Sequence, residues 1–271
     1  MKSMTQQQYQ LDDLLRIMTQ LRHPAHGCPW DKQQTFASIV PFTLEEAYEV
    51  ADTIANEDWQ ELPSELGDLL FQVVFYAELG REQQQFDFAE VLNRICHKLV
   101  SRHPHVFGEL ADASLSEQQL KDNWEQHKAL EREAREQTSI LADIPKALPS
   151  LARAVKIQKR VARVGFDWDE LAPVRDKVHE ELDEVLAEVE PEQPASDALK
   201  EEVGDLLFAV ANLARHLGVN PEEALRGANR KFERRFRGVE QRVAASGKAF
   251  SEHSLESLDK FWNDVKSLEV K

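Results

Sequence analysis

The sequence predicts an all-α protein. Apolar residues recur at intervals of three and four along almost the whole chain, which is the spacing of amphipathic helices, and no segment shows the sustained alternation of a strand. The 271 residues include only 10 glycines and 11 prolines, too few for the many turns of an all-β fold. The helical pattern also occurs twice, which predicts a tandem duplicated helical bundle.

Capping motifs mark where several helices begin. Asp87 and Ser116 each precede a Glu or Gln by three positions, which is the spacing of a capping box. Asn220 stands before a proline and two glutamates, as at a helix N-terminus. Proline and glycine mark the breaks between helices. We expect these breaks at His103-Pro104, Pro145, Pro149, Gly165 and residues 191–194.

The two halves of the chain share a series of motifs in the same order, 133 to 138 positions apart. The pairs are GCPWD (27–31) with GFDWD (165–169), EExxE (45–49) with EExxE (180–184), ELGDLLF (65–71) with EVGDLLF (202–208), Lys98 and Arg102 with Lys231 and Arg235, and WxxxK (124–128) with WxxxK (262–266). The sequence therefore predicts an N-terminal domain, 1–135, and a C-terminal domain, 145–271, joined by a charged helical stretch.

The charge balance argues against two classes of partner. Lys and Arg number 33 against 49 for Asp and Glu, a formal charge of −16, which disfavours a nucleic-acid binder and a basic membrane anchor. Cys28 and Cys96 are 68 positions apart, a spacing of neither a zinc ribbon nor a disulfide scaffold. The sequence also has a polar start and no long apolar run. Charge balance, cysteine spacing and these two properties together predict a cytoplasmic protein that binds neither nucleic acid nor membrane.

Four acids in the second half are placed alike against apolar helix faces. Glu181 and Glu184 follow the first apolar position of their helix by three and six residues, and Glu202 and Asp205 do the same in the next helix. In an antiparallel pair packed along these stripes, the four carboxylates converge. The stripes are Val178, Leu182, Val185 and Val189 in one helix and Leu199, Val203, Leu206 and Val210 in the other.

The first half repeats this arrangement with Glu46, Glu49, Glu65 and Asp68. Four carboxylates at one groove repel one another unless cations neutralise them. Oxygen ligands without paired Cys or His suit Mg²⁺, with Mn²⁺ as the alternative, rather than Zn²⁺. The sequence therefore predicts two metal sites, of which the one in the first half is the weaker.

The combination of these motifs in a duplicated all-α chain resembles the MazG family of nucleoside triphosphate pyrophosphohydrolases, over about residues 10 to 266. The resemblance implies a dimeric α-helical bundle that binds Mg²⁺ through the acidic motif. It also implies hydrolysis of NTPs and dNTPs to the monophosphate and pyrophosphate, with broad base tolerance. In the tandem form of the family, activity resides mainly in the C-terminal half.

The resemblance and the charge pattern together assign roles to named residues. Expected catalytic and metal-binding acids are Glu180, Glu181, Glu184, Glu202 and Asp205, with Glu180 or Glu181 orienting or deprotonating the attacking water. Expected nucleotide contacts are Lys177, Lys200, Glu201, Lys231, Arg234, Arg235 and Trp262.

The first half lacks three of these cations. Phe42, Pro63 and Ser101 stand at the positions of Lys177, Lys200 and Arg234, respectively. We therefore expect the C-terminal half to be the active one and the N-terminal half to be weak or regulatory.

Several alternatives remain open at this stage. Trp262 is either a core residue or a base-stacking group. The tryptophans of the GxxWD turns are either loop anchors or base contacts, and the anchor role is the favoured interpretation. A sensor that binds Mg-nucleotide without turnover would use the same acids, and a helical scaffold would need no metal. A homodimer is expected, but which halves pair is open.

Overall fold

The computed structural model describes residues 8–108, 115–116, 119–120, 123–124, 139–189 and 194–269. Every regular element in these ranges is a helix, so the predicted all-α fold is confirmed for them. Contacts divide the chain into two compact units, Met1–Lys128 and Ala129–Lys271. The predicted N-terminal domain end at residue 135 lies outside the described residues, as does most of the predicted charged helical stretch. Residues 139–145, at the end of that stretch, form turns rather than a helix. The domain boundary stays a prediction.

The described helices of the first unit are α1 (Leu11–Leu21), α2 (Pro29–Gln33), α3 (Phe36–Ala55), α4 (Leu62–Glu82), α5 (Phe88–Arg102) and α6 (Pro104–Phe107). Those of the second unit are α7 (Ser150–Ala162), α8 (Leu171–Ala187), α9 (Asp197–His216), α10 (Pro221–Ser246) and α11 (Leu255–Leu268), with a 3₁₀ turn at Phe250–Glu252.

Side-chain caps explain where several helices begin. The Asp87 carboxylate accepts a hydrogen bond from the Glu90 N–H at 2.9 Å, and Asn220 Oδ1 accepts one from the Glu222 N–H at 3.1 Å, both as predicted. Ser196 caps α9 in the same way through the Leu199 N–H at 3.0 Å. The caps at Ser196 and Asn220 set the start of the helix that carries part of the second acidic motif and of the helix that follows it.

In the first unit, α3 and α4 pack along each other as a hairpin, and α1 packs on α4. The side chains between them form a closed apolar core, of which Phe75 on α4 is 0 % exposed. The core residues are Met18, Ile39, Val74, Phe75 and Leu79.

In the second unit, α8 and α9 pack along each other as the equivalent hairpin, α7 packs on α9, and α10 pairs with α11. The buried apolar residues of this unit are mostly small, namely Ala154, Val174, Ala209, Ala211, Val239 and Val243. The fold thus places the acidic motif of each unit on its central hairpin.

The predicted apolar stripes pack only in part. On α8 the buried or half-buried line runs through Val174, Val178, Glu181 and Val185, so Glu181 lies within the packed face rather than beside it. Leu182 is 41 % exposed, so its place in the predicted stripe was wrong. The reason is that the rotation of α8 about its axis is set by its packing on α9, which turns Glu181 inward and Leu182 outward. The stripe residues Val189, Val203 and Val210 are likewise exposed.

No helix among the described residues has the length and apolar content needed to cross a lipid bilayer.

Candidate functional site

The acids of the second unit meet on the α8–α9 hairpin. Glu181, Glu202 and Asp205 each place one carboxylate oxygen within 4.8 Å of the other two. Glu181 is 6 % exposed, so one of the three charges is held in a desolvated position. Oxygen atoms this close can share one divalent cation.

The remaining acid, Glu184, is not a member of this triplet, but its negative charge affects the pKa of Glu202. Partial burial and the negative charges of Glu184, Asp205 and Glu181 raise the pKa of Glu202. The structure therefore brings together all four acids that the stripe spacing selected in this half. Their roles in metal binding and catalysis stay predictions.

The first unit repeats the arrangement on α3 and α4. Glu46, Glu49 and Glu65 have carboxylate oxygens within 4.8 Å of one another. Glu46 and Glu65 stand at the repeat positions of Glu181 and Glu202, but the third member differs, because Glu49 matches Glu184 rather than Asp205. Partial burial and the charges of Asp68 and Glu49 raise the pKa of Glu46. Like-charge repulsion is thus common to both groups, and a bound cation would relieve it in each.

Lys177 is the cation nearest to the second acidic group. Its Nζ lies 2.7 Å from Glu181 Oε1 and 2.9 Å from Glu180 Oε1. These contacts with Glu180 and Glu181 raise the pKa of Lys177, so the lysine stays charged at neutral pH. Lys177 therefore offers a fixed positive charge directly beside the carboxylates.

A cavity of about 480 Å³ opens beside these groups, and Lys177, Glu181 and Asp205 form part of its wall. This volume falls in the range of about 300–1,000 Å³ that is typical of small-molecule sites. The apolar part of the lining comes from Ile157, Val161, Phe166, Trp168, Val174, Phe208 and Ala209. The polar remainder comes from Gln158, Asp167, Asn212 and Arg215.

A hydrogen-bond network fastens the GFDWD loop to α9 at the cavity wall. Asp167 Oδ1 accepts from Arg215 Nη2 at 2.6 Å and lies 3.0 Å from His216 Nε2. Arg215 Nε in turn donates to Asn212 Oδ1 at 2.9 Å. Partial burial acts to raise the pKa of Asp167. The bonds from Arg215 and His216 outweigh this effect and hold the pKa below its ordinary value. The loop is thus held in place by a charged pair.

Most other predicted nucleotide contacts lie away from this cavity. Lys200 Nζ pairs with Asp197 at 2.8 Å on the first turn of α9, where Glu201 is also exposed. Arg234 and Arg235 both pair with Glu269, at 2.8 and 2.7 Å. Lys231 is exposed on the same helix, α10.

Trp262 belongs to the α10–α11 pair rather than to the cavity wall. Its ring lies 5.1 Å from that of Phe232, and the Arg235 guanidinium lies 5.8 Å from its centroid. Because α10 and α11 pack mainly on each other, their charged and aromatic side chains gather along that pair. Their contacts with a nucleotide stay predictions.

Sequence reasoning missed three polar groups of the cavity wall and undervalued a fourth residue. Gln158, Asn212 and Arg215 were not selected, and Trp168 was interpreted as a loop anchor, yet all four line the cavity. A usable signal was present for Gln158, because it interrupts an otherwise apolar helix face that includes Ala154 and Val161.

The equivalent positions of the first unit are filled differently. Asp68 and Asp205 are matched in the repeat, and the same register places Phe75 at the position of Asn212 and Glu78 at that of Arg215. Phe75 is 0 % exposed and contacts the closed core described above. An aromatic core residue therefore stands where the second unit has a polar cavity wall.

Comparisons with known proteins agree with this geometry. The sequence model of the MazG nucleotide pyrophosphohydrolase domain matches residues 34–107 and 172–239, which include both acidic groups. A nucleoside triphosphate pyrophosphohydrolase of Escherichia coli is 54% identical over 261 residues, which cover 96% of this chain and 98% of the relative. A protein of Thermotoga maritima named nucleoside triphosphate pyrophosphohydrolase/pyrophosphatase MazG is 39% identical over 255 residues, covering 94% and 95%. This chain therefore belongs to the MazG nucleotide pyrophosphohydrolase family.

Proposed function

We propose that this protein is a Mg²⁺-dependent nucleoside triphosphate pyrophosphohydrolase whose C-terminal unit converts NTPs and dNTPs to the monophosphate and pyrophosphate. The observation that carries the proposal is the carboxylate triplet of Glu181, Glu202 and Asp205, two members of which line a cavity of about 480 Å³. A triphosphate needs a divalent cation to approach such acids, and the cavity beside them offers room for the nucleoside. The names of the two relatives support the same reaction.

The donor set fits Mg²⁺, with Mn²⁺ as the alternative. Its members are carboxylates alone, which is the ligand type that hard divalent cations prefer. Glu181, Glu184, Glu202 and Asp205 would hold the ion. When bound, the ion neutralises triphosphate oxygens and lowers the pKa of a water molecule.

The side chains of the chain itself supply binding and proton handling. The Lys177 ammonium, 2.7 Å from Glu181, is placed to donate to a triphosphate oxygen as well. Glu180, which Lys177 also contacts at 2.9 Å, is the exposed carboxylate that would accept a proton from the attacking water. The apolar wall that includes Trp168 and Phe208 would shelter the base and exclude water around it.

A homodimer forms part of the proposal. The central hairpin of the second unit exposes apolar side chains that a second copy would cover, namely Leu182, Leu186, Val203, Leu207 and Val210. In such a dimer, Lys200, Glu201, Lys231, Arg234, Arg235 and Trp262 would reach the triphosphate or base of a partner's site. Size-exclusion chromatography with light scattering should give twice the 31.1 kDa chain mass, and a single 31.1 kDa species would contradict the dimer.

A cytoplasmic location is also proposed. Both cysteines, Cys28 and Cys96, are free in the structure, which suits a reducing compartment.

The reaction is tested by product analysis in ¹⁸O-labelled water. The full chain is incubated with dATP and Mg²⁺, and in parallel with EDTA, and the products are identified by mass spectrometry. We expect dAMP and pyrophosphate with Mg²⁺ only, and the position of the label shows which phosphorus is attacked. Absence of turnover for dATP and every other nucleotide would contradict the proposal and favour a non-catalytic nucleotide sensor.

A further inference from the structure

The loop between α7 and α8, residues 163–170, forms one side of the cavity although all of its residues are exposed. Gly165, Phe166, Asp167 and Trp168 of this loop line the cavity. A segment without buried side chains has little core packing to hold it, so its polar contacts decide where it lies. The contacts that fix the loop therefore also fix this side of the cavity.

An ion pair connects the loop to α9. Asp167 Oδ1 accepts from Arg215 Nη2 at 2.6 Å, and the Arg215 side chain is 12 % exposed. The same carboxylate oxygen accepts from the Trp168 N–H at 3.0 Å, so the connection extends to the backbone of the tryptophan. On its other side, Arg215 Nε donates to Asn212, which is buried on α9. Arg215 thus links the tryptophan of the loop to a fixed point on the helix.

Arg215 lies far from the acids along the helix. It follows Asp205 by ten residues on α9, which corresponds to about 15 Å along the helix axis. Trp168, through its bond to Asp167, lies at this same end of the cavity. Its side chain lines the cavity and is 44 % exposed, so part of the ring is open to a ligand. With the phosphates at the acids, this end is the one that meets the nucleoside.

Building on the proposed function, we propose that Arg215 is a positioning residue for nucleoside binding. Through Asp167, it holds Trp168 in the cavity wall, where the nucleobase stacks on the indole ring. Every nucleobase has a π-face, so a stacking contact is compatible with broad base tolerance. Arg215 acts on the loop rather than on the phosphates, and its loss weakens the binding of the nucleoside alone.

The first test compares a ligand that has a nucleoside with one that has none. Arg215→Met removes both side-chain bonds, so KM for dATP should rise about 10-fold, the loss expected for one base stack, while kcat stays within about threefold of wild type. Inorganic tripolyphosphate carries the phosphates without a base. Its inhibition constant in the presence of Mg²⁺ should stay within about twofold of wild type.

Two results of this comparison would overturn the proposal. The first is an unchanged KM for dATP in Arg215→Met. The second is an equal rise in the tripolyphosphate inhibition constant, because Arg215 would then contact phosphate or support the site as a whole.

A double-mutant cycle shows whether Arg215 acts through Trp168. Trp168→Ala should raise KM for dATP about 10-fold, and adding Arg215→Met should raise it no further. Increases that multiply would overturn the proposal. Arg215→Lys keeps a cation for Asp167, so its KM should stay within about threefold of wild type. Arg81→Met is the matched control, since it breaks an ion pair of the same 2.6 Å length with Glu78 in the first unit, and KM should stay at the wild-type value.

The outcome also distinguishes the two proposals. Turnover of dATP with a wild-type KM in Arg215→Met would overturn the positioning role and leave the pyrophosphohydrolase function standing. Absence of Mg²⁺-dependent turnover of every nucleotide by the wild-type chain would overturn the function and, with it, the role of Arg215.

Discussion

In the N-terminal unit the acidic triplet shares its helices with a closed core around Phe75, whereas in the C-terminal unit the acidic triplet shares its helices with a cavity of about 480 Å³. The two triplets have two repeat positions in common, and the side chains around them differ. After a duplication, an acidic group can persist in both copies while the residues beside it change, as Phe75 and Asn212 do here. Four tests probe this difference, beginning with the largest expected effect.

The strongest test removes one carboxylate from each unit in turn. Asp205→Asn should lower kcat for Mg²⁺-dependent pyrophosphate release by about 1,000-fold, because a catalytic metal ion contributes several kcal/mol to the barrier. The matched substitution Asp68→Asn should leave kcat within about twofold of wild type. Similar losses from both substitutions would show that the two units act together.

The next test concerns the core of the first unit. Phe75→Ala should lower the free energy of unfolding by about 3 kcal/mol, since Phe75 is fully buried and the Arg22 guanidinium lies 5.2 Å from its ring. Asn212→Ala at the matched position should cost only about 1 kcal/mol, through the lost bond to Arg215. Urea unfolding monitored by circular dichroism measures both values. Equal costs would mean that the two positions are equally packed.

A third substitution fills the cavity with the residue of the other unit. Asn212→Phe should raise KM for dATP about 10-fold, because the larger ring occupies the space beside Arg215 and Phe208. Asp205 precedes Asn212 by seven residues, about two helical turns, so the increase in melting temperature on adding Mg²⁺ should be retained. An unchanged KM would show that the nucleoside binds elsewhere.

The smallest effect is a dependence of stability on pH. The pKa of Asp167 is lowered in the folded protein. Its ion pair therefore stabilises the fold fully above the ordinary aspartate pKa of about 3.9. This stabilisation is lost as the pH falls through the folded-state pKa. Asp167→Asn should therefore cost up to about 1 kcal/mol at pH 7 and nothing below the folded-state pKa. Thermal unfolding from pH 7 to pH 3 checks this, with Asp169→Asn as control. A cost as large at pH 3 as at pH 7 would contradict the ion-pair explanation.

The parts predicted from sequence were those that depend on local helix geometry. The convergence of Glu181, Glu184, Glu202 and Asp205 follows from residue spacing along two neighbouring helices, so periodicity alone placed them together. The exposure of Leu182 was mispredicted, because the rotation of α8 in the hairpin depends on how it packs against α9.

The parts that were missed depend on contacts between distant segments. Glu269 pairs with Arg234 and Arg235 from 35 and 34 positions away, and spacing on a single helix gives no information about such a partner. The cavity has the same origin. Gln158 and Phe208 are 50 positions apart, and the space beside them exists only because α7 packs across α9.

One helix, α9, carries both the acids and much of the cavity wall, at intervals of three or four residues. Asp205, Phe208, Asn212 and Arg215 follow one another along the same side of this helix. An α-helix rises about 1.5 Å per residue and resists stretching, so Asp205 and Asn212 stay roughly 10 Å apart along the axis. The helix therefore fixes the distance between its carboxylate at Asp205 and the far wall of the cavity at Asn212 and Arg215. In the proposed reaction, a nucleotide that contacted both Asp205 and Asn212 would have to match this spacing, so the rigidity of α9 would help to decide which phosphorus lies beside the acids.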